Sequence, residues 1–149
     1  MDIHTSNAQP AICLRLETKL STLTADVGEL PMQLLQTLEK AQLTQTGPMV
    51  FVYRDMSDDL QAPFKLEIAV PVADTSGFSG NAEITTLGPL RYAETVHRGD
   101  LRQLGETYQR FFPELAAAGL TPAGETREVY TEFVDSQNEK NITHIQVGV

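Results

Sequence analysis

Hydrophobic positions in the first part of the chain follow a two-residue period and then a helical one. Ile12, Leu14 and Leu16 alternate with polar neighbours, which is typical of a half-buried β-strand. Pro31 suits the first turn of a helix, and leucines at helical spacing come after it. The elements predicted from these patterns are a strand within 11–24, a helix over 30–43, and strands over 49–53 and 64–72.

The same order of elements returns after a Gly- and Ser-rich stretch at 74–81. The predicted elements are an interrupted strand over 83–97, a helix from Asp100 to Gly119, and strands over 126–133 and 142–149. Gly88-Pro89 marks a bend or bulge within the first of these strands. Because proline lacks an N–H donor, Pro113 is expected to kink or break the helix near Arg110.

Two copies of a strand–helix–strand–strand unit predict an α+β fold with pseudo-two-fold symmetry. We expect one domain over 1–149, with halves at about 11–73 and 82–149 and a linker at about 74–81. The predicted antiparallel sheet carries helices on one face and a ligand groove on the other. Laying GPMVFVYRD on GETREVYTE and KLEIAVPV on ITHIQVGV pairs Tyr53 with Tyr130, Phe51 with Glu128, and Glu67 with His144.

The groove is predicted from the strand faces that turn away from the helices. Apolar faces are expected to pack on the helices, which leaves the alternate positions to line the groove. Those positions are Phe51, Tyr53, Glu67, Glu128, Tyr130, His144 and Gln146. An aromatic groove that holds an uncompensated carboxylate favours an amphipathic cation, through stacking, cation–π attraction and charge.

Composition narrows the class of protein. The chain has 149 residues, 41% of them hydrophobic, which is typical of one globular domain. Its net charge of −9 argues against a nucleic-acid backbone as the main partner, so direct DNA binding is not expected. A polar N-terminus without a signal-peptide pattern, and no apolar run of about 18–20 residues, make the cytoplasm the expected location and exclude a membrane partner.

Cysteine and histidine usage predicts neither a metal site nor a bound cofactor. Cys13 is the single cysteine and is expected to be a buried structural thiol. His4, His97 and His144 lack metal-ligand spacing. His97 is expected to make a structural hydrogen bond at the turn that enters the second long helix.

Four stretches resemble the GyrI-like small-molecule-binding domain, the effector-binding domain of AraC-type and multidrug-sensing transcription regulators, which also occurs free-standing. These are GPMVFVYRD, KLEIAVPV, LRYAETVHRGDLRQLGETYQRF and TREVYTEF. The resemblance runs from about residue 11 to the C-terminus. It implies tandem halves around a central groove, with the glutamate of an E-x-Y motif at its base. That glutamate is Glu128, and the matching aromatic partners are Tyr53 and Tyr130.

The sequence departs from the family pattern at several positions. Asp100 and Leu101 follow the glycine of the H-x-G stretch, where the family often has Pro and Tyr. Arg127 precedes the glutamate, where Pro or Trp is more familiar, and the chain has no Trp. These departures bear on whether the ligand is a large planar cation and leave the expected fold unchanged.

Three functions remain open, and the first is favoured. The chain is a free-standing effector-binding module that senses or sequesters a small amphipathic or cationic molecule. Alternatively, it hydrolyses strained electrophilic molecules, with Glu128 as general base and Tyr53 or Tyr130 as acid. As a third hypothesis, it inhibits a basic protein partner through its acidic surface, as a gyrase inhibitor would.

Overall fold

The computed structural model describes residues 1–149 as one curled antiparallel sheet with helices on one side. The strands are β1 (His4–Thr5), β2 (Gln9–Thr18), β3 (Val50–Arg54), β4 (Phe64–Pro71), β5 (Glu83–Leu87), β6 (Arg91–Arg98), β7 (Glu125–Glu132) and β8 (Ile142–Gly148). The α-helices are α1 (Leu23–Val27), α2 (Leu30–Lys40) and α3 (Leu104–Ala117), and a 3₁₀ turn (Leu101–Gln103) precedes α3.

The strand order confirms the predicted repeat. Across the sheet the order is β1-β6-β8-β7-β3-β4-β2-β5, so β6-β8-β7 and β2-β4-β3 meet at the central β7–β3 pair. The registers agree as well, because the Val50–Ala69 pair of the first half corresponds to the Arg127–Gln146 pair of the second. Tyr53 therefore corresponds to Tyr130, and Phe51 to Glu128, as the sequence alignment of the halves predicts.

The short connection between β5 and β6 requires the sheet to curl. Six strand spacings of about 4.8 Å would separate the two strands by about 29 Å in a flat sheet. The four Cα–Cα steps from Leu87 to Arg91 reach about 15 Å at most. Leu87 packs with Val52 and Ala69, and Arg127 donates to the Gly88 carbonyl over 2.8 Å, so the connection crosses the inner side of the curl. We call this side the concave face.

The opposite side, which we call the helix face, carries both long helices. Leu34 of α2 packs on Leu66 and Ile68 in one core. Phe111 and Leu115 of α3 pack on strand residues of the second half, in a separate core. Both helices thus cover the same face of the sheet, one on each half, and leave the central β3–β7 pair between them.

Three details differ from the sequence prediction. Helix α2 ends at Lys40, before the predicted end at 43, and the stretch predicted as one interrupted strand is two strands at distant places in the sheet. Helix α3 continues through Pro113, although a break near Arg110 was expected. The carbonyl left without an N–H donor is that of Gln109, which is exposed, and water can satisfy it there.

Candidate functional site

The central residues predicted for the groove lie on the helix face. Directly opposite residues of an antiparallel pair share a face, and Phe51 lies opposite both Ile68 and Glu128. The predicted placement of the aromatic residues and Glu128 on the side away from the helices is therefore wrong. The apolar residues Leu66 and Ile68 of β4 do face the helices, as the alternation predicts. The error lies in β7, where Val129 suggests the helix side but packs on the concave face. Both faces of β7 are buried around Glu128, so its pattern could not indicate which side faces the helices.

Two of the predicted site residues lie on the concave face and do not join Glu128. Glu67 is buried there and accepts from Arg15 Nε over 2.9 Å, with Arg54 at 3.5 Å. His144 lies 3.1 Å from Glu94, which also accepts a hydrogen bond from Gln146 over 3.1 Å. The alignment of Glu67 with His144 holds, but both positions alternate with the residues around Glu128 instead of sharing their face.

Glu128 lies at the centre of three tyrosines. Its Oε1 accepts hydrogen bonds from the Tyr53 hydroxyl over 3.0 Å and the Tyr130 hydroxyl over 2.6 Å. Its Oε2 accepts from the Tyr108 hydroxyl over 2.6 Å. These residues come from β3, β7 and α3, so the cluster joins both halves of the repeat.

Tyr108 is the one residue of this cluster that the sequence analysis did not single out. It belongs to the regular apolar stripe of α3, and its spacing predicts a core residue. The hydroxyl of a tyrosine within that apolar stripe was the one feature that could have indicated its role, since a buried tyrosine usually needs a hydrogen-bond partner.

Further aromatic rings surround the tyrosines. The Phe51 ring meets Tyr130 edge to face with centroids 5.0 Å apart, and it lies 6.4 Å from Tyr53. On the helix side, Tyr108 stacks on Phe112 at 5.9 Å, and Phe112 is 37% exposed. The carboxylate thus has an aromatic shell that extends to the surface along α3.

The charge of Glu128 has no cationic partner. Its exposure is 4%, and it takes part in none of the ion pairs of the structure. Burial first, and then the negative charge of Glu128, raise the pKa of Tyr53, Tyr108 and Tyr130 well above the ordinary phenol value. At neutral pH the three hydroxyls are therefore protonated and serve as donors to the carboxylate.

The carboxylate is covered instead of lying in an open groove. Glu128 is buried beneath its neighbours, and two surface cavities of about 590 and 500 Å³ are lined by other residues. The larger is lined by the 78–84 segment and Arg15, and the smaller by the ends of β2, β3 and β4, including Lys65. Tyr108 and Tyr130, whose hydroxyls donate to this carboxylate, are themselves only half-buried.

His97 and Cys13 have structural surroundings. A carbonyl can only accept, so His97 Nε2 donates to the Asp100 carbonyl over 2.8 Å, and Nδ1 accepts from the Thr107 hydroxyl over 2.7 Å. The expected hydrogen bond at this turn is therefore present. Cys13 is buried on the concave face, and burial, followed by the charge of Glu67, raises the pKa of its thiol to about 11. No group of three or more His, Cys, Asp or Glu side chains is arranged to hold a metal ion.

The family model of the GyrI-like small molecule binding domain matches residues 1–149. The chain belongs to the GyrI-like family. Small-molecule binding is the property that defines this domain, and the buried tyrosine–carboxylate cluster lies at the centre of this GyrI-like chain, where its two halves meet.

Solved structures share this GyrI-like fold at low sequence identity. The EcmrR C-terminal domain superposes with a TM-score of 0.79 at 16% identity, covering 99% of this chain and 94% of that chain. SAV2435 bound to tetraphenylphosphonium has a TM-score of 0.72 at 14% identity, covering 99% and 92%. A hydrolase from Listeria innocua has a TM-score of 0.55 at 12% identity, covering 99% and 91%. At these identities the likeness establishes the α+β fold.

A search of curated proteins returned no match. None of the helices of this GyrI-like domain combines the length and the apolar character that crossing a membrane requires.

Proposed function

We propose that this GyrI-like domain binds a small amphipathic organic cation at Glu128. The observation that carries the proposal is the buried carboxylate with aromatic neighbours and no cationic partner. A buried carboxylate without a counter-charge favours a positive group that can replace lost hydration. The surrounding rings offer π-faces to a cation and apolar surface to the rest of the ligand. The ligand residues of the proposal are Glu128, Tyr53, Tyr130, Phe51 and Tyr108.

The three hydroxyls explain how the site remains stable without ligand. They supply three donors to a carboxylate that water hardly reaches, which offsets part of the cost of its burial. A cation without N–H groups can approach the carboxylate beside these donors once a ring has turned. We expect Tyr108 to be the ring that moves, because it is half-buried and stacks on the exposed Phe112.

The test is the affinity of a lipophilic cation for wild type and Glu128→Gln. Tetraphenylphosphonium is the probe, because SAV2435 shares the fold and was solved with it. Removing the charge at the base of an aromatic site should weaken binding about 10- to 100-fold. Glu132→Gln is the matched control, because it makes the same charge change at an exposed position of the same strand. Equal affinity of wild type and Glu128→Gln would remove Glu128 from the site.

Hydrolysis of a strained electrophilic substrate is the second candidate. One observation favours it: Glu128 and the hydroxyl of Tyr130 or Tyr108 are 2.6 Å apart, so a base and an acid adjoin. Against it, the raised pKa of these phenols makes them poor proton donors near neutral pH. Turnover of a cyclopropane-bearing compound that is lost in Glu128→Gln would establish hydrolysis, and its absence across a panel of such compounds would exclude it.

A further inference from the structure

The pseudo-two-fold symmetry of the chain relates two of the three tyrosines but not the carboxylate. The strand registers of the two halves make Tyr53 and Tyr130 equivalent under this symmetry. The same correspondence places Phe51 on Glu128, and these two residues lie directly opposite each other in the central strand pair. A site with a symmetric frame thus has a carboxylate on one side of its axis and a phenyl ring on the other.

The helices increase this asymmetry. The residue spacing that relates β3 to β7 also relates Leu34 to Phe111, and both are fully packed core residues of their helices. By the same spacing, Pro31 of α2 is the residue of the first half that corresponds to Tyr108 of α3. The second half therefore contributes both the negative charge and the additional hydroxyl, while the first half contributes Phe51.

We infer that the site selects ligands with a single cationic centre at one end and an apolar body that packs on Phe51. The inference rests on the function proposed above and names the class of ligand more narrowly. Phe51 is then the residue that determines specificity. It contacts both symmetric tyrosines, and it occupies the position where a second carboxylate would make the site suited to dications.

Desolvation gives the physical reason. A second cationic group beside Phe51 would lose hydration without gaining a counter-charge. A cation–π contact with one phenyl ring offsets only part of that loss. An alkyl or aryl group at the same place gains free energy when it leaves water. Phe51 therefore discriminates between ligands with one and with two cationic groups, while Glu128 provides the attraction that all cationic ligands share.

A matched pair of salts tests the inference on the wild-type protein. Hexyltrimethylammonium and hexamethonium have the same alkyl spacer and differ by one terminal ammonium group. Their dissociation constants are measured by displacement of a fluorescent lipophilic cation. We expect the monocation to bind about tenfold more tightly. A tenfold ratio is about the effect that burying two methylene groups has on a dissociation constant.

Phe51→Glu should reverse this preference, because it places a second carboxylate at the position related to Glu128. Ile84→Glu is the matched control: it adds the same charge at an exposed strand position and should retain the preference for the monocation. If Phe51→Glu does not fold, the wild-type ratio decides alone.

Wild-type affinities within about threefold of each other, or a folded Phe51→Glu that still prefers the monocation, would overturn the inference. The proposed function would stand in either case as long as Glu128→Gln weakens both salts. If neither salt depends on Glu128, the proposed function itself fails.

Discussion

At the residue scale, burial and then the charge of Glu128 oppose ionisation of the phenols around this carboxylate. The chain has four tyrosines, and three of them donate to this one carboxylate. Burial and the charge of Glu128 raise the pKa of these three phenols well above the usual value of about 10. The pKa of Tyr92, which lies outside the cluster, is also raised, by burial and then Glu94.

We expect an alkaline titration followed by phenolate absorbance to show Tyr92 ionising first and the three cluster tyrosines at higher pH. Because their folded pKa values exceed the unfolded one, their contribution to stability is complete below about pH 10 and is lost as pH rises through the folded values. In Glu128→Gln the cluster phenols should ionise at lower pH, and the alkaline loss of stability should be smaller. Four tyrosines that titrate together near the ordinary value would contradict this account.

At the element scale, α3 carries a proline that its packing tolerates. Pro113 is exposed and lies in the helix interior, where it removes the hydrogen bond to the Gln109 carbonyl. Phe111 and Leu115 lie on either side of it and anchor the helix to the sheet. Tertiary packing therefore maintains a helical turn that local propensity disfavours.

We expect Pro113→Ala to raise the free energy of unfolding by about 1–3 kcal/mol, because it restores a backbone donor and costs no buried contact. Pro31→Ala is the control. Proline is favoured at the first helical positions, so no comparable gain is expected there. Urea unfolding of the two variants measures the difference, and an equal effect of both substitutions would refute the explanation.

At the scale of the whole molecule, the halves exchange their edge strands. Strand β1 comes just before β2 in the chain but pairs with β6, and β5 comes just before β6 but pairs with β2. On the concave face, an alternating row of charges joins the halves across five neighbouring strands. Its members in order are Glu83, Arg15, Glu67, Arg54, Glu125 and Arg127.

This exchange predicts that the halves fold together. We expect fragments 1–79 and 80–149, cut in the exposed segment between β4 and β5, to form a 1:1 complex with the circular dichroism of the intact chain when they are co-expressed. Each fragment alone should lack this signal, because its edge strand has no partner. Light scattering gives the mass of the complex. Two fragments that fold separately and do not associate would show that the halves are independent domains.

Periodicity in the sequence was sufficient for the long elements and for their repetition, but it did not indicate the short β1 and α1. Ile12, Leu14 and Leu16 alternate along β2, and the leucine and aromatic stripes of α2 and α3 follow the helical period. The alignment of the halves also matched the correct residues of the two copies, because side chains that alternate in a sheet leave a two-residue pattern in both. Gly88-Pro89 indicated an interruption, but the chain pattern contains no information on which strands the two resulting pieces pair with.

Local pattern therefore determined, by itself, the α+β class, the two matching halves and the correspondence of Tyr53 with Tyr130 and of Phe51 with Glu128. Only the tertiary structure decided which sheet face holds the carboxylate, that Glu67 and His144 lie on the other face, and that Tyr108 completes the cluster. The physical reason is that a two-residue period separates two faces without indicating which one a helix covers when both are buried, as they are around Glu128 in β7. Contacts between distant segments, such as Tyr108 with Glu128, arise from packing and leave no spacing in the chain.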